Sequence, residues 1–140
     1  MQISTPCRYL IRAMIELADK YGEGPVSLKT IEKNQHISWR YLQQLMPSLK
    51  KDGMIRVVKG NKGGYLLARH PSEITIGEII KAQRGSIAFV DCIIMNSCDY
   101  IPMCPSRDIW VEASRLVENY FDSLSLEEIC KRWHEKLKSM

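Results

Sequence analysis

Three cysteines, Cys92, Cys98 and Cys104, stand with five residues between each neighbouring pair. Deprotonated thiolates are soft ligands that select zinc, copper(I) or iron–sulfur clusters. Structural zinc uses close pairs with two to four residues between partners, and that spacing is absent here. Even five-residue gaps suit a flexible loop wrapped around an object larger than one ion, such as an iron–sulfur cluster. Three unligated thiols in a surface loop is the other reading of the same spacing. The total of five cysteines is odd, and MQISTPCRYLIRAM lacks the order of a secretory leader, which weighs against a disulfide framework and for metal or redox chemistry. Cys130, beside Ile129 and Trp133, reads as a small buried hydrophobe. Cys7 falls in the first turn of a helix, where the dipole lowers a thiol pKa, and reads as packed rather than ligating. His36, His70 and His134 are dispersed. No Cys-x-x-Cys pair, Ser/His/Asp set or phosphate-cradling loop is present, so catalysis is not expected.

A second group of residues suits a polyanion. Ser38, Arg40, Tyr41, Gln43 and Gln44 lie off the apolar face of a short helical segment. Arg suits guanine and Gln suits adenine in a major groove, while Ser38 and Tyr41 suit phosphates. Downstream, Lys59, Gly60, Asn61 and Lys62 form a basic, glycine-rich tip able to reach a phosphate ridge or minor groove. Each residue alone is compatible with an ordinary solvated surface. The run Lys50, Lys51, Arg56, Lys59 and Lys62 against the single acid Asp52 favours DNA. Charge along the chain agrees: positions 1–84 hold 14 Lys/Arg against 7 Asp/Glu, and positions 85–140 hold 6 against 9, within an overall net charge of +4.

Elements must position these groups. Thr5 and Pro6 open a first helix with Leu10, Ala13, Met14, Leu17, Ala18 and Tyr21 as its buried stripe, ended by Gly22 and Gly24–Pro25. Ser27 starts a second helix, the segment 34–37 is a tight turn, and Ser38 caps a third helix that buries Leu42, Leu45, Met46 and Leu49. Pro47 inside that pattern costs about 3 kcal/mol in a helix interior and predicts a kink or break near Met46. The segments 54–58 and 65–67 predict a hairpin around the turn 59–64, and Thr75 with Glu78 predicts a capping box for another helix. From 85 to 105 periodicity fades into a cysteine-bearing loop. Ser106 then opens a long helix to about Leu124 with two apolar stripes, Ile109, Ala113, Leu116, Tyr120 and Trp110, Ala113, Val117, Phe121. A helix with two faces to bury packs on its own domain and on a second copy. Ser125 and Glu128 cap a last helix.

The expected fold is mainly α with a small β-hairpin wing: a winged helix-turn-helix (1–84), a cysteine-bearing loop (85–105), and a long dimerisation helix with a C-terminal helix (106–140). The 140 residues, 45% hydrophobic and 26% charged, exclude a disordered or low-complexity chain, and no apolar run is long enough to span a membrane. A cytoplasmic location is expected.

The segments MQISTPCRYLIRAM, GPVSLKTIEKNQHIS, RYLQQL, KGNKGGYLLAR and ITIGEII, with the three cysteines followed by Trp110, resemble the Rrf-two family of bacterial transcription regulators, in particular its IscR- and NsrR-like iron–sulfur branch. The resemblance covers nearly the whole chain. It implies a winged-helix homodimer paired through the long helix, with an iron–sulfur cluster on Cys92, Cys98 and Cys104 tuning affinity for a double-stranded operator. It places base contacts at Ser38, Arg40, Tyr41, Gln43 and Gln44, and wing contacts at Lys59, Gly60 and Lys62. Four positions depart from the family pattern. Arg107 stands where IscR-like members have a histidine ligand, and Arg8 where NsrR-like members supply a carboxylate, leaving Cys7, Asp99, Asp108 or an exogenous group as the fourth ligand. Gln43 stands where IscR has a glutamate that discriminates between operators. His36 replaces a turn glycine, which its access to left-handed backbone allows. The same cysteines also allow a cluster-free thiol or zinc switch; a protein-interaction module and a thiol redox enzyme are more distant readings.

Overall fold

Ser4, rather than Thr5, begins the first helix, because Ser4 holds extended backbone and its Oγ accepts the Cys7 N–H at 3.3 Å. The computed structural model describes residues 2–140. In it α1 (Thr5–Asp19) buries Leu10, Ala13, Met14 and Leu17 as the spacing predicts. Tyr21 does not join that stripe: the helix has already ended, and the ring stands exposed, edge-on to His70 at 5.2 Å. The Ser27 hydroxyl caps α2 (Leu28–Gln35) by accepting from the Thr30 N–H at 3.1 Å. His36 closes α2 in left-handed backbone, φ 56°, which turns the chain sharply so that Ile37 drops into the core.

The break at Pro47 is real. It divides the segment into α3 (Trp39–Leu45) and α4 (Pro47–Lys51), with proline in the first turn, where it sacrifices no hydrogen bond. Leu42, Met46 and Leu49 point inward across the break, and Leu45 is half-buried. The hairpin follows as β1 (Ile55–Val58) and β2 (Gly64–Leu67), antiparallel, with Ile55 opposite Leu67 and Val58 opposite Gly64. Val26 adds a bridge to Tyr65 through paired backbone bonds of 2.9 and 2.8 Å. Gly64 permits it, since a Cβ there would overlap the Val26 carbonyl.

A 3-10 turn (Pro71–Glu73) leads to α5 (Ile76–Arg84). Thr75 caps α5, but the capping box is half made: the Glu78 N–H donates to Thr75 Oγ1, while the Glu78 carboxylate pairs with Arg69. The segment expected as plain loop contains a short helix α6 (Asp91–Met95), ended by Asn96 at φ 52°, and a 3-10 turn (Ile101–Met103). The long helix α7 (Arg107–Asp122) begins at the Ser106 position without a side-chain cap and packs Val117 and Phe121 on the core. Lys81 of α5 holds it through Glu118 (2.8 Å) and Asp122 (3.0 Å). Thr75 and Ser125 form an isolated bridge, Leu126 N–H donates to Ile74, and Ile76 N–H donates to Leu124. That corner folds α8 (Leu126–Lys138), capped by Ser125, back onto α1.

Candidate nucleic-acid interface and thiol loop

The α2–turn–α3 unit stands on α1, and a buried carboxylate fixes it there. Glu16, 1% exposed, accepts from Gln35 Nε2 at 2.7 Å and Asn34 Nδ2 at 3.2 Å. Arg12 adds Nε to Gln35 Oε1 at 3.1 Å and a second bond from Nη2 to the Gln35 carbonyl. The end of α2 is thus tied to α1 by a side-chain network rather than by apolar contact alone. A buried carboxylate that accepts two hydrogen bonds offsets part of its desolvation cost. Glu16 sits beside the apolar stripe in sequence, and the adjoining Asn34–Gln35 amides were the only signal of its role.

The outer face of α3 carries the residues expected there. Ser38, Arg40, Gln43 and Gln44 are exposed. Ser38 occupies the N-cap position without a capping bond; Glu32 does that work, accepting the Trp39 N–H at 2.7 Å. Tyr41 is half-buried and meets Tyr9 edge-on at 5.8 Å, so part of its ring serves packing. The Arg40 guanidinium lies 5.4 Å from the Trp39 ring centroid, a cation–π pair that steadies a long side chain at the start of the helix. Trp39 had no place in the sequence reading; an aromatic residue at the first position of α3, next to an arginine, was the available clue.

At the hairpin tip Lys59, Gly60, Asn61 and Lys62 are all exposed, with Gly60 at φ 110°. Asn61 and Lys62 share a hollow of about 330 Å³ with Lys20, Ser27 and Thr30, so the wing borders the start of α2. Gly63 and Gly64 are required by the domain's own backbone. A Cβ on either would overlap a backbone carbonyl of the domain itself, Val58 or Val26.

The thiols are spread along their loop. Cys92 is half-buried on α6, Cys98 is exposed, and Cys104 is half-buried with its Sγ 3.6 Å from Ser106 Oγ. Hydrogen bonds from the Ser106 backbone and hydroxyl, then Arg107, hold the Cys104 thiol below its ordinary pKa. Arg107 Nε is buried without a partner, and Nη2 reaches Asn96 Oδ1 at 3.4 Å. Cys7 is fully buried in the core, and burial pushes its pKa up, reversing the helix-dipole expectation and removing it from reach as a fourth ligand. Cys130 is half-buried rather than buried, donates to the Ile15 carbonyl at 3.5 Å, and is pushed up to about 11 by desolvation and then by Asp19 and Glu16. Asp99 and Asp108 are exposed. Among the described residues no group of three His, Cys, Asp or Glu side chains is arranged to hold a metal ion. The donor set is of the right type for an iron–sulfur cluster, and in this conformation it is open.

A helix-turn-helix that presents polar and cationic side chains on its second helix, beside a basic hairpin, defines a winged-helix DNA-binding regulator. Residues 3–132 match the Rrf2 family model, described as an iron-dependent transcriptional regulator. The transcriptional regulator CymR of Bacillus subtilis is 39% identical over 129 residues, covering 92% of this chain and 89% of CymR. The regulator IscR of Xenorhabdus nematophila is 35% identical over 131 residues, covering 94% and 80%. The structure of B. subtilis CymR, described as that organism's global cysteine regulator, superimposes with a TM-score of 0.79 at 36% identity over 94% of this chain and 98% of CymR. The chain belongs to the Rrf2 family, and it is a DNA-binding transcription regulator rather than an enzyme. Among the described residues no helix is long and apolar enough to cross a membrane.

Proposed function

We propose that this regulator acts in the cytoplasm as a homodimer whose affinity for an operator is set by Cys92, Cys98 and Cys104 as ligands of an iron–sulfur cluster. Positions 1–84 bind DNA through Ser38, Arg40, Tyr41, Gln43 and Gln44 on α3 and Lys59, Gly60, Asn61 and Lys62 on the wing. Positions 85–105 are the sensory loop, and 106–140 join the copies through Ile109, Ala113, Leu116 and Tyr120. The observation that carries the reading is the placement of three thiols on the loop that runs directly into α7, whose outer apolar side chains are exposed. Asp99 or Asp108 would complete the ligand set, Cys7 being enclosed in the core. A bound cluster would supply a redox-sensitive cross-link between the loop and the start of α7.

The exposed Cys98 and the Cys104 thiol, held below its ordinary pKa, support a second reading, a cluster-free thiol or zinc switch on the same cysteines. The description of CymR as a cysteine regulator is compatible with it. Anaerobic reconstitution with iron and sulfide separates the two. The cluster reading expects visible absorption that Cys98→Ser abolishes while the circular dichroism spectrum is retained. Colourless protein holding less than about one iron per dimer overturns it in favour of the switch.

A further inference from the structure

Outside the DNA face and the thiol loop, α1 and α8 enclose a groove of about 420 Å³. Ile15, Ile129 and Trp133 make its apolar wall, Arg12 and Lys136 bring cations to it, and Arg132 also lines it with its charge met by Glu128. None of the residues lining it is acidic. Nearby carboxylates are already engaged: Glu16 with Asn34 and Gln35, Asp19 with His134 at 2.6 Å, and Glu128 with Arg132 at 3.3 Å on the exposed side of α8. Arg12 spends its two observed bonds on the neutral Gln35, so its charge meets no carboxylate there and most of its five N–H donors are uncommitted. An apolar wall with a few convergent polar groups, in a volume of this order, is the usual make-up of a small-molecule site.

We infer that this groove binds an amphipathic monocarboxylate, an aromatic or branched aliphatic body against Ile15, Ile129 and Trp133 with its carboxylate on Arg12 and Lys136. The planar fork of Arg12 matches a carboxylate in charge and shape. The groove also touches the DNA-binding unit. Gln35, one of its lining residues, is the last residue of α2, directly before the left-handed His36 that turns the chain toward α3. A carboxylate held by the uncommitted donors of Arg12 draws the guanidinium toward the groove and away from the Gln35 carbonyl, which loosens the end of α2 and weakens presentation of α3. That linkage rests on α3 being the DNA-reading helix; the binding site does not.

The test is an amide-shift NMR titration of the full chain with indole-3-acetate, with neutral indole-3-acetamide and free acetate as comparisons. Saturable shifts are expected at Arg12, Gln35, Ile129 and the Trp133 indole with indole-3-acetate, and about tenfold weaker binding with either comparison compound. Lys136→Glu weakens binding about tenfold, whereas Lys131→Glu, on α8 but away from the groove, leaves it unchanged; thermal melting verifies that both variants fold. Absence of saturation, equal binding of the acetamide, or indifference to Lys136→Glu overturns the site. Saturating indole-3-acetate is expected to lower DNA affinity at least about fivefold. Unchanged DNA affinity with the groove filled overturns the linkage. Failure of the ligand-free chain to bind DNA counts instead against the reading of α3.

Discussion

Glu16 shows how one side chain governs the helix-turn-helix unit from behind. Its carboxylate collects the amides of Asn34 and Gln35, and both lie at the end of the helix that sets the position of α3. Replacing Glu16 with Ala leaves those donors without their acceptor in a partly buried place, so unfolding stability should fall by about 1–3 kcal/mol. Urea denaturation with an unchanged m-value checks this, and a loss below about 0.5 kcal/mol would show the network to be ornamental. The cysteines differ at the same scale. Cys104 is held low by Ser106 and Arg107, while burial raises Cys7 and Cys130, the latter to about 11. The thiolate is the nucleophile, so iodoacetamide at pH 8 should label Cys104 well before Cys130 and Cys7, read by peptide mass spectrometry. Equal labelling of the three contradicts this. The sign for stability follows from the raised pKa of Cys130. Its neutral thiol is preferred in the folded chain, so its contribution is complete below the usual value of 9 and is lost as pH climbs from there to about 11.

At the scale of elements, α3 and the wing carry different parts of the proposed DNA interface. Lys62 is an exposed point charge at the hairpin tip, so Lys62→Ala should weaken binding to every sequence and reduce the salt dependence by about one phosphate contact. Gln44 projects from α3, where an amide can read a base edge, so Gln44→Ala should lose about 1–3 kcal/mol on the cognate site alone. Fluorescence anisotropy on specific and random duplexes at several salt concentrations distinguishes them; equal losses on both duplexes sink this division of roles. Much of the supporting frame was legible because it depends on local chemistry. The apolar spacing of α1, the break at Pro47 and the tight turn at 34–37 each follow from a few neighbouring residues. What escaped depends on partners distant along the chain. Glu32 caps α3 in place of Ser38, Arg69 draws the Glu78 carboxylate out of its capping box, and Thr75 pairs with Ser125. Of the candidate site, the exposure of Ser38, Arg40, Gln43 and Gln44 could be read from periodicity. The open thiol loop could not, because even spacing of cysteines says nothing about where a loop without periodicity takes them.

For the whole molecule the deciding feature is α7. One side is committed to its own chain: Val117 and Phe121 pack on the core, Ser114 accepts the Phe89 N–H at 2.9 Å, and Lys81 grips Glu118 and Asp122. Hydrogen bonding to those carboxylates, Glu118 first, raises the Lys81 pKa, so this clamp stays charged through the neutral range. Fixed in that orientation, the helix turns outward Ile109, Leu116 and Tyr120, which are 56%, 68% and 57% exposed. They recur at helical spacing and form one stripe with Ala113. Full burial of such side chains is worth about 1.5–3 kcal/mol each, and a two-fold contact counts every one twice. Burying the exposed part of this stripe therefore favours pairing, against the cost of association. Pairing would also meet the demand of DNA, whose equivalent half-sites lie about 34 Å apart, so two recognition helices on a shared axis gain where one alone does not. The double variant Leu116→Glu and Tyr120→Glu should run as a monomer at micromolar concentration by light scattering. Its circular dichroism should be unchanged, because neither side chain is part of the monomer core. Its affinity for a palindromic operator should fall by at least about tenfold while binding to random DNA, which needs only one basic face, falls less. Wild-type protein that is itself monomeric at that concentration, or a double variant that still pairs, would rule out this face as the interface.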